Sequence, residues 1–351
     1  LPLWEGLSGV LLLGADAAVE VGVWFVRFFA ELPYASVRVT TPTVVEVALF
    51  FLLIVSAAEA SKKRTALWPV PVLLLALMVD TGWWRYQGLL KDDLTVTFIS
   101  VGQGDSALVE FPGGETMLVD GGGVYRSGFD VGESVVAPVL WGRKIKRIDY
   151  LVLSHAQRDH MGGLGFIAGN FSPREFWWNG YGKLGELGDA LALSGTEVVR
   201  VSTSTPPRDI GGVRVEFLHP PKDTPFPFDM NNNSVVLKLT HGSRSFLFSG
   251  DVGGEVEQYI ASADVKADVL KVPHHGSRTS SSAPFIDGVA PVFAVVSAGQ
   301  GNPFGFPHPE TTERYSSRGV RLLRTDRHGA VTVVTDGETL DVDTYLTGPV
   351  R

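Results

Sequence analysis

Ser154-His155-Ala156-Gln157-Arg158-Asp159-His160, followed by Met161-Gly162-Gly163, is the stretch on which the reading of this chain turns. It leaves an apolar run, Tyr150 to Leu153, that has the length and composition of a buried strand. His155, Asp159 and His160 are three metal-ligating side chains within six positions. On a helix the i, i+4 and i+5 spacing would place them loosely on one face, but the strand before and the glycines after favour a loop. A loop can turn successive side chains inward onto one or two ions. The plainer reading of the same residues is capping and ordinary hydrogen bonding.

The pattern recurs outward from this point. Ser249-Gly250-Asp251 closes the apolar run Phe246 to Phe248, Pro273-His274-His275-Gly276-Ser277 closes Val269 to Val272, and His308 stands between two prolines. A lone histidine of this kind is more often structural, whereas several at recurrent strand exits point to one site. The chain has no cysteine, which excludes disulfides, thiolate sites and a thiol nucleophile, so any metal must sit on imidazole and carboxylate. That donor chemistry suits zinc or manganese. A net charge of -8 is the wrong sign for a surface that wraps nucleic acid broadly, though it leaves room for a local phosphate site.

Short branched or aromatic runs bounded by turns fill the same region. They include 94–99, 106–111, 115–119, 214–218, 234–239, 245–248, 292–296, 321–324 and 330–335. With a helix expected from about Gly162 to Ala168, they predict a sheet-rich layered α/β domain. Gly102, Gly104 and Gly121 to Gly123 read as turns that shape the site, because no Lys-Ser or Lys-Thr follows to make a phosphate loop.

The first 90 residues differ in kind. Val44 to Ala58 is almost wholly apolar, and a second run from Ala66 to Val79 leads to Asp80 and to Trp83, Trp84 and Tyr86, which suit a membrane interface. Two spans are expected near 43–60 and 66–84, with Glu46 reaching a headgroup. Pro69 and Pro71 fit the first turns of a span. The basic loop Lys62-Lys63-Arg64 belongs on the cytoplasmic side, which would put everything after Asp92 outside. Val10 to Phe29 reads as an interfacial amphipathic helix or as a span packed on other helices. The expected division is a membrane segment at 1–90 and a hydrolase domain at 92–351. Without an initiator methionine or a basic leader, Leu1 reads as a cut point in a longer protein.

Two segments carry weaker readings. Gly142 to Arg147 is the densest basic stretch of the second part, read as a solvated helix face in preference to a nucleic-acid contact. Phe176-Trp177-Trp178-Asn179 reads as core in preference to a base-stacking platform.

Taken together, these stretches resemble the ComEC family of competence DNA-uptake proteins, and specifically its C-terminal metallo-β-lactamase-like domain. The residues that carry the resemblance are Val101 to Ser106, Leu118 to Gly122, Ser154 to Gly163, Asn232 to Ser234, Ser249 to Asp251, Leu270 to Ser277 and Phe306 to Pro309, in the family's order across 94–335. The resemblance implies a four-layer αββα sandwich preceded by transmembrane helices. It implies metal ligands at His155, Asp159, His160 and Asp251 and at one of His274 and His275, which the sequence leaves open. It gives supporting roles to Asp120, Gln157 and Asn232, phosphate contacts to Asn233 and Ser277, and a proton-donor or phosphate-contact role to His308. Asp159, Asp251 and His308 are then the expected catalytic groups, with one or two zinc or manganese ions.

This chain also departs from the pattern. The wider superfamily often carries a second histidine two positions after the first and the family commonly an aspartate, where Gln157 stands here. Asn231 to Ser234 occupy the region of another superfamily histidine.

The implied function is DNA internalisation in natural competence, with metal-dependent hydrolysis of incoming DNA by an extracytoplasmic domain on the bacterial cytoplasmic membrane. The implied partners are DNA, membrane lipid, a channel portion of the same protein and other competence proteins. Hydrolysis of small phosphodiesters or other esters is one alternative. A DNA-binding gate that has lost catalysis is another.

Overall fold

The structure is a computed structural model that describes every residue except 1, 33–34, 36, 63–67, 125–127, 223–228 and 351. Two compact units divide the chain, Leu1–Thr40 and Thr41–Arg351. The compositional boundary expected at 90–92 falls inside the second unit. The first unit carries one long helix, α1 (Pro2–Ala30).

The second unit opens with two helices packed on each other, α2 (Val44–Lys62) and α3 (Pro69–Leu89), neither of which buries a residue. Among the described residues α2 is the one helix long and apolar enough to cross a membrane. The second expected span, near 66–84, differs from α3: its apolar part runs only from Pro69 to Val79, and Asp80, Arg85 and the aromatic cluster continue the same helix. Lys62 ends α2, while Lys63 and Arg64 lie outside the described residues. Glu46 is occupied within the protein. The Glu46 backbone N–H donates to the Thr43 hydroxyl at 3.1 Å, its carboxylate accepts from the Thr43 N–H in a capping box, and Lys144 pairs with it.

Two sheets follow. The first contains β1 (Leu94–Phe98), β2 (Ala107–Glu110), β3 (Thr116–Val119), β4 (Tyr150–Val152), β5 (Glu175–Trp178) and β6 (Glu197–Arg200). The second contains β7 (Arg208–Ile210), β8 (Val213–His219), β9 (Val236–His241), β10 (Arg244–Phe248), β11 (Val269–Lys271), β12 (Phe293–Val296) and β13 (Arg321–Arg324). The chain then returns to the first sheet with β14 (Val331–Thr335), β15 (Asp341–Thr344) and β16 (Gly348–Pro349). Their orders are β16-β15-β14-β1-β2-β3-β4-β5-β6 and β13-β12-β11-β10-β9-β8-β7.

Each sheet joins antiparallel hairpins to a parallel run, β3 to β6 in one and β10 to β13 in the other. Parallel strands deliver all their carboxyl ends to one edge, where the following loops gather. The runs 120–122, 153–157, 249–251 and 272–277 follow β3, β4, β10 and β11 at that edge.

Alternation along the strands builds the layers. In β3, Met117 and Val119 face the core shared by the two sheets, where Phe98 lies 5.8 Å from Phe248, while Leu118 faces outward. Helices α4 (Ala137–Gly142), α5 (Arg158–Met161), α6 (Leu164–Phe171) and α7 (Glu186–Ser194) accompany the first sheet, and Leu140, Ile167 and Leu191 cover Leu118 and Leu151. Helices α8 (Gly254–Ile260), α9 (Ala283–Val289), α10 (Pro309–Ser316) and α11 (Thr325–His328) accompany the second, where Val256, Phe285 and Tyr315 cover Leu247 and Leu270. Helix, sheet, sheet and helix thus stack in four layers. Each fully buried Phe or Leu contributes about 1.5–3 kcal/mol to holding them.

The basic stretch is not a helix face. Helix α4 ends at Gly142, and the next residues form an irregular turn in which Arg143 reaches Glu110 and donates to Thr97 Oγ1 at 2.9 Å. Trp177 is fully buried in the inter-sheet core, and Trp178 packs against the outer one.

Candidate metal centre

Each element brings its functional side chain by a distinct backbone device. Asp120 leaves β3 with φ +60, in the left-handed region, and its N–H donates to the Val152 carbonyl at 2.8 Å. Residues 154–157 form the loop expected after β4, but Asp159 and His160 stand on the single helical turn α5, not in that loop. Gln157 has extended backbone at the turn's N-cap, and Asp159 in its first turn suits the helix dipole. The turn is held from below by glycine. A Cβ on Gly123 would collide with the Arg158 carbonyl, and one on Gly104 (φ +142) with the Asp159 carbonyl. Beyond β11, His274 (φ +48) and His275 (φ +52) both adopt left-handed backbone, a conformation costing of order 1–3 kcal/mol per residue.

These devices converge. Asp159, His160, Asp251 and His275 each offer a ligand atom within 4.8 Å of the others. His160 Nε2 lies 3.2 Å from Asp251 Oδ2, and His275 Nε2 lies 3.4 Å from both Asp251 Oδ2 and Asp159 Oδ2. His275 therefore joins the group. His274 is half-buried, with Nε2 4.0 Å from Asp251 Oδ2. The His155 ring is 4.1 Å from that of His160, and its Nδ1 meets Ser154 Oγ at 3.0 Å and Ser234 Oγ at 3.3 Å.

Carboxylates and hydroxyls behind the group fix the imidazoles. Asp120 Oδ2 takes His160 Nδ1 at 2.9 Å while Asp120 Oδ1 accepts the Ser154 N–H at 2.8 Å. His275 Nδ1 faces the Ser297 carbonyl at 3.0 Å and Asp105 Oδ1 at 3.5 Å. Such contacts set which ring nitrogen faces an ion. Asp105 and Lys271 are members of the centre that the sequence reading left out. The buried Lys271 ammonium pairs with Asp105, donates to the Gly250 carbonyl at 3.0 Å and lies 3.4 Å from Asp251 Oδ1.

The electrostatics follow from burial and these pairs. Burial alone would raise Asp105 and Asp251, but Lys271 and His275 hold Asp105 low, and His275, His160 and Lys271 hold Asp251 well below the usual carboxylate range. Burial opposes protonation of His160 and His275, yet Asp251, with Asp120 or Asp105, raises both well above the ordinary imidazole value. At His155 burial wins and pushes the imidazole down to about 3. At Asp120 burial pushes the carboxyl up.

A divalent ion fits this donor set. His155 Nε2, His160 Nε2, His275 Nε2 and Asp159 Oδ1 are buried without a hydrogen bond in the protein. Buried polar atoms left so are costly unless a cation or water completes them. In the second acidic group, Asp105, Asp120 and His160, both Asp105 oxygens likewise make no hydrogen bond in the protein, but Asp105 is ion-paired with Lys271 and faces His275 Nδ1, and Asp120 holds His160.

Other expected site residues are tied elsewhere. Gln157 Nε2 donates to Asn231 Oδ1 at 2.5 Å. Asn232 Oδ1 accepts the Gly253 N–H at 2.8 Å, and Asn233 Nδ2 donates to the Asp229 carbonyl at 2.6 Å. Ser277 Oγ lies 3.1 Å from Thr279 Oγ1. His308 Nε2 meets Arg278 Nη2 at 2.6 Å, while His308's N–H donates to the Gly276 carbonyl, which sets it beside the His274-His275 turn.

Comparison with known proteins agrees with this architecture. The model of the Metallo-beta-lactamase superfamily matches residues 99–299. ComE operon protein 3 of Bacillus subtilis (strain 168) is 29% identical over 362 residues, covering 93% of this chain and 45% of that protein. Competence protein ComA of Neisseria gonorrhoeae is 31% identical, covering 75% of this chain and 35% of that protein. A solved metallo hydrolase from the archaeon Ignicoccus hospitalis aligns with TM-score 0.46 at 16% identity, covering 68% of this chain and 98% of its own. The chain spans less than half the length of these two curated relatives. Fold and donor groups together support a metal-dependent hydrolase. The chain belongs to the metallo-beta-lactamase superfamily, and over most of its length it is similar to competence proteins of the ComEC family.

Proposed function

We propose that residues 92–351 hydrolyse phosphodiester bonds of incoming DNA, and that the membrane segment at 1–90 holds this domain outside the bacterial cytoplasmic membrane during DNA uptake. The observation that carries the reading is the four-donor group of Asp159, His160, Asp251 and His275, drawn from both sheets. The resemblance to the ComEC family of DNA-uptake proteins, with a relative named for competence, suggests DNA as the substrate. Zinc and manganese both suit a nitrogen and oxygen donor set. Contacts with membrane lipid, a channel portion of the longer protein and other competence proteins belong to the same proposal.

Asp159, His160, Asp251 and His275 would hold the ion, with His155 as a flanking ligand. When bound, it supplies Lewis-acid charge for the phosphoryl oxygens and makes water acidic enough to attack at neutral pH. Asp159, at the edge of the group and less buried than Asp251, orients the attacking water. The half-buried His274, with Nε2 4.0 Å from Asp251 Oδ2, is the imidazole left outside the donor group and is assigned the protonation of the departing oxygen. His308 Nε2 accepts from the Arg278 guanidinium, so His308 holds that group in place and Arg278 takes the phosphate contact.

The test is to supply the purified chain with manganese or zinc and offer end-labelled single-stranded DNA, duplex DNA and a chromogenic phosphodiester. Metal-dependent DNA cleavage that Asp251→Ala abolishes is the expected result. Turnover of the small ester alone would favour a broader esterase, and tight DNA binding without cleavage would favour a gate. Protease added to intact spheroplasts should digest the region beyond Asp92; protection there would reverse the topology.

A further inference from the structure

The mouth of the centre carries an aromatic column. The Phe306 ring lies over His275 with centroids 6.3 Å apart and planes 27° apart, and it meets His274 edge-on at 5.8 Å. Phe304 stacks on Phe306 at 5.6 Å and 19° and is 56% exposed. Single exposed apolar side chains are common and need no explanation. This one differs because it ends a stack that begins on a candidate ligand.

Its loop is also fixed in place. Asn302 Nδ2 donates to the Gly299 carbonyl at 2.9 Å and the Phe306 carbonyl at 2.7 Å, and Asn302 Oδ1 accepts the Phe306 N–H at 3.0 Å. Gly299 N–H reaches Gln103 Oε1 at 3.3 Å, tying the loop to the turn that carries Asp105. Two residues past Gly276 stands the exposed Arg278, in contact with His308 and 3.6 Å from Glu310 Oε2; His308 in turn lies two residues past Phe306. An aromatic face and a nearby cation are the two parts that hold single-stranded nucleic acid, one for a base and the other for a phosphate.

We propose that Phe304 and Phe306 form a stacking platform for a nucleobase of single-stranded DNA next to the bond being cut, with Arg278 taking a neighbouring backbone phosphate. The assignment rests on the phosphodiesterase reading of the metal centre. Bases in a duplex are already stacked on one another, so the platform selects unpaired strands whatever their sequence.

The experiment is fluorescence anisotropy of the full chain with manganese, using a labelled phosphorothioate octamer of deoxyadenosine and an abasic octamer of the same backbone. The native chain should bind the base-bearing strand about tenfold more tightly. Phe304→Ala and Phe304→Leu should bring that ratio close to one, and Phe304→Trp should keep it. Residue 304 is exposed, so melting temperature and metal content should stay at their native values in all three.

Equal binding of the two strands by the native chain would overturn the platform, as would a ratio that survives in Phe304→Leu, which points to an apolar contact such as a lipid chain. Either result with DNA cleavage intact leaves the phosphodiesterase reading standing. Failure to bind either strand, with no DNA cleaved, brings down both.

Discussion

Asp251 divides its two oxygens between a fixed charge and the candidate ligands: Oδ1 lies 3.4 Å from Lys271 Nζ, and Oδ2 lies 3.2 Å from His160 Nε2. Lys271 is buried and also neutralises Asp105. Removing its charge leaves both carboxylates buried with less compensation. Lys271→Met should therefore destabilise the metal-free protein by about 3–5 kcal/mol. Urea denaturation measures it, and a change under 1 kcal/mol would show that the ammonium is dispensable.

Metal affinity should rise with pH. His160 and His275 have imidazoles raised well above the ordinary value, against the effect of burial, because Asp251 and its neighbours favour the charged form. In the metal-free state their contribution to stability is complete below the unfolded value of about 6.5 and is lost as pH rises through the raised folded values. An ion must displace those protons, so binding competes with them. Competition with a fluorescent chelator should give at least about tenfold tighter binding at pH 8.5 than at pH 6.5. A flat profile would mean that these rings are neutral before the ion arrives.

The centre should take close to one ion per chain. Among the described residues one four-donor group is present, Asp105 of the second group is ion-paired with Lys271, and the Gln157 amide is tied to Asn231. An amide is a weak ligand, so the side of the site at His155 lacks a partner. Gln157→His supplies an imidazole two positions from His155 and should move the metal content toward two. Elemental analysis of dialysed protein decides, and two ions in the native chain would refute the assignment.

Gly104→Ala should weaken the centre without touching a donor. The added methyl would meet the Asp159 carbonyl at a φ of +142, which alanine rarely adopts. A loss of about 2 kcal/mol or more in stability is expected. Asp159 should shift with its backbone, so thermal melting and a metal titration on the same sample should both fall.

Much of this was legible in the chain, for identifiable reasons. The donors were visible because a carboxylate or imidazole that interrupts an apolar strand at its exit is conspicuous in sequence. Asp105 was hidden as one residue of a glycine turn, and its role depends on strands far apart in the chain that the fold brings together. Lys271 was hidden inside an apolar strand, Val269 to Val272, where its buried charge was itself the available signal. Strands β6 and β15 were missed because their charged, half-exposed residues carry no apolar run. Phe304 sits in a Gly and Pro loop, where only its hydrogen-bonded frame distinguishes an organised face from an idle one. Which of His274 and His275 faces the donors was settled by two left-handed backbones that no periodicity announces.

Gln157 marks the position where the donor count of such a centre can change by one substitution. Its side chain bonds to Asn231, at the start of a single 3-10 turn, and not to a residue of either sheet. A lineage can therefore gain or lose a ligand at this position by single substitutions that leave the inter-sheet packing intact. Asp105, Asp120 and Lys271 lack that freedom, because each is wired to two or more buried partners. Relatives that differ in ion number should differ where Gln157 stands and share the same buried charge lattice beneath it.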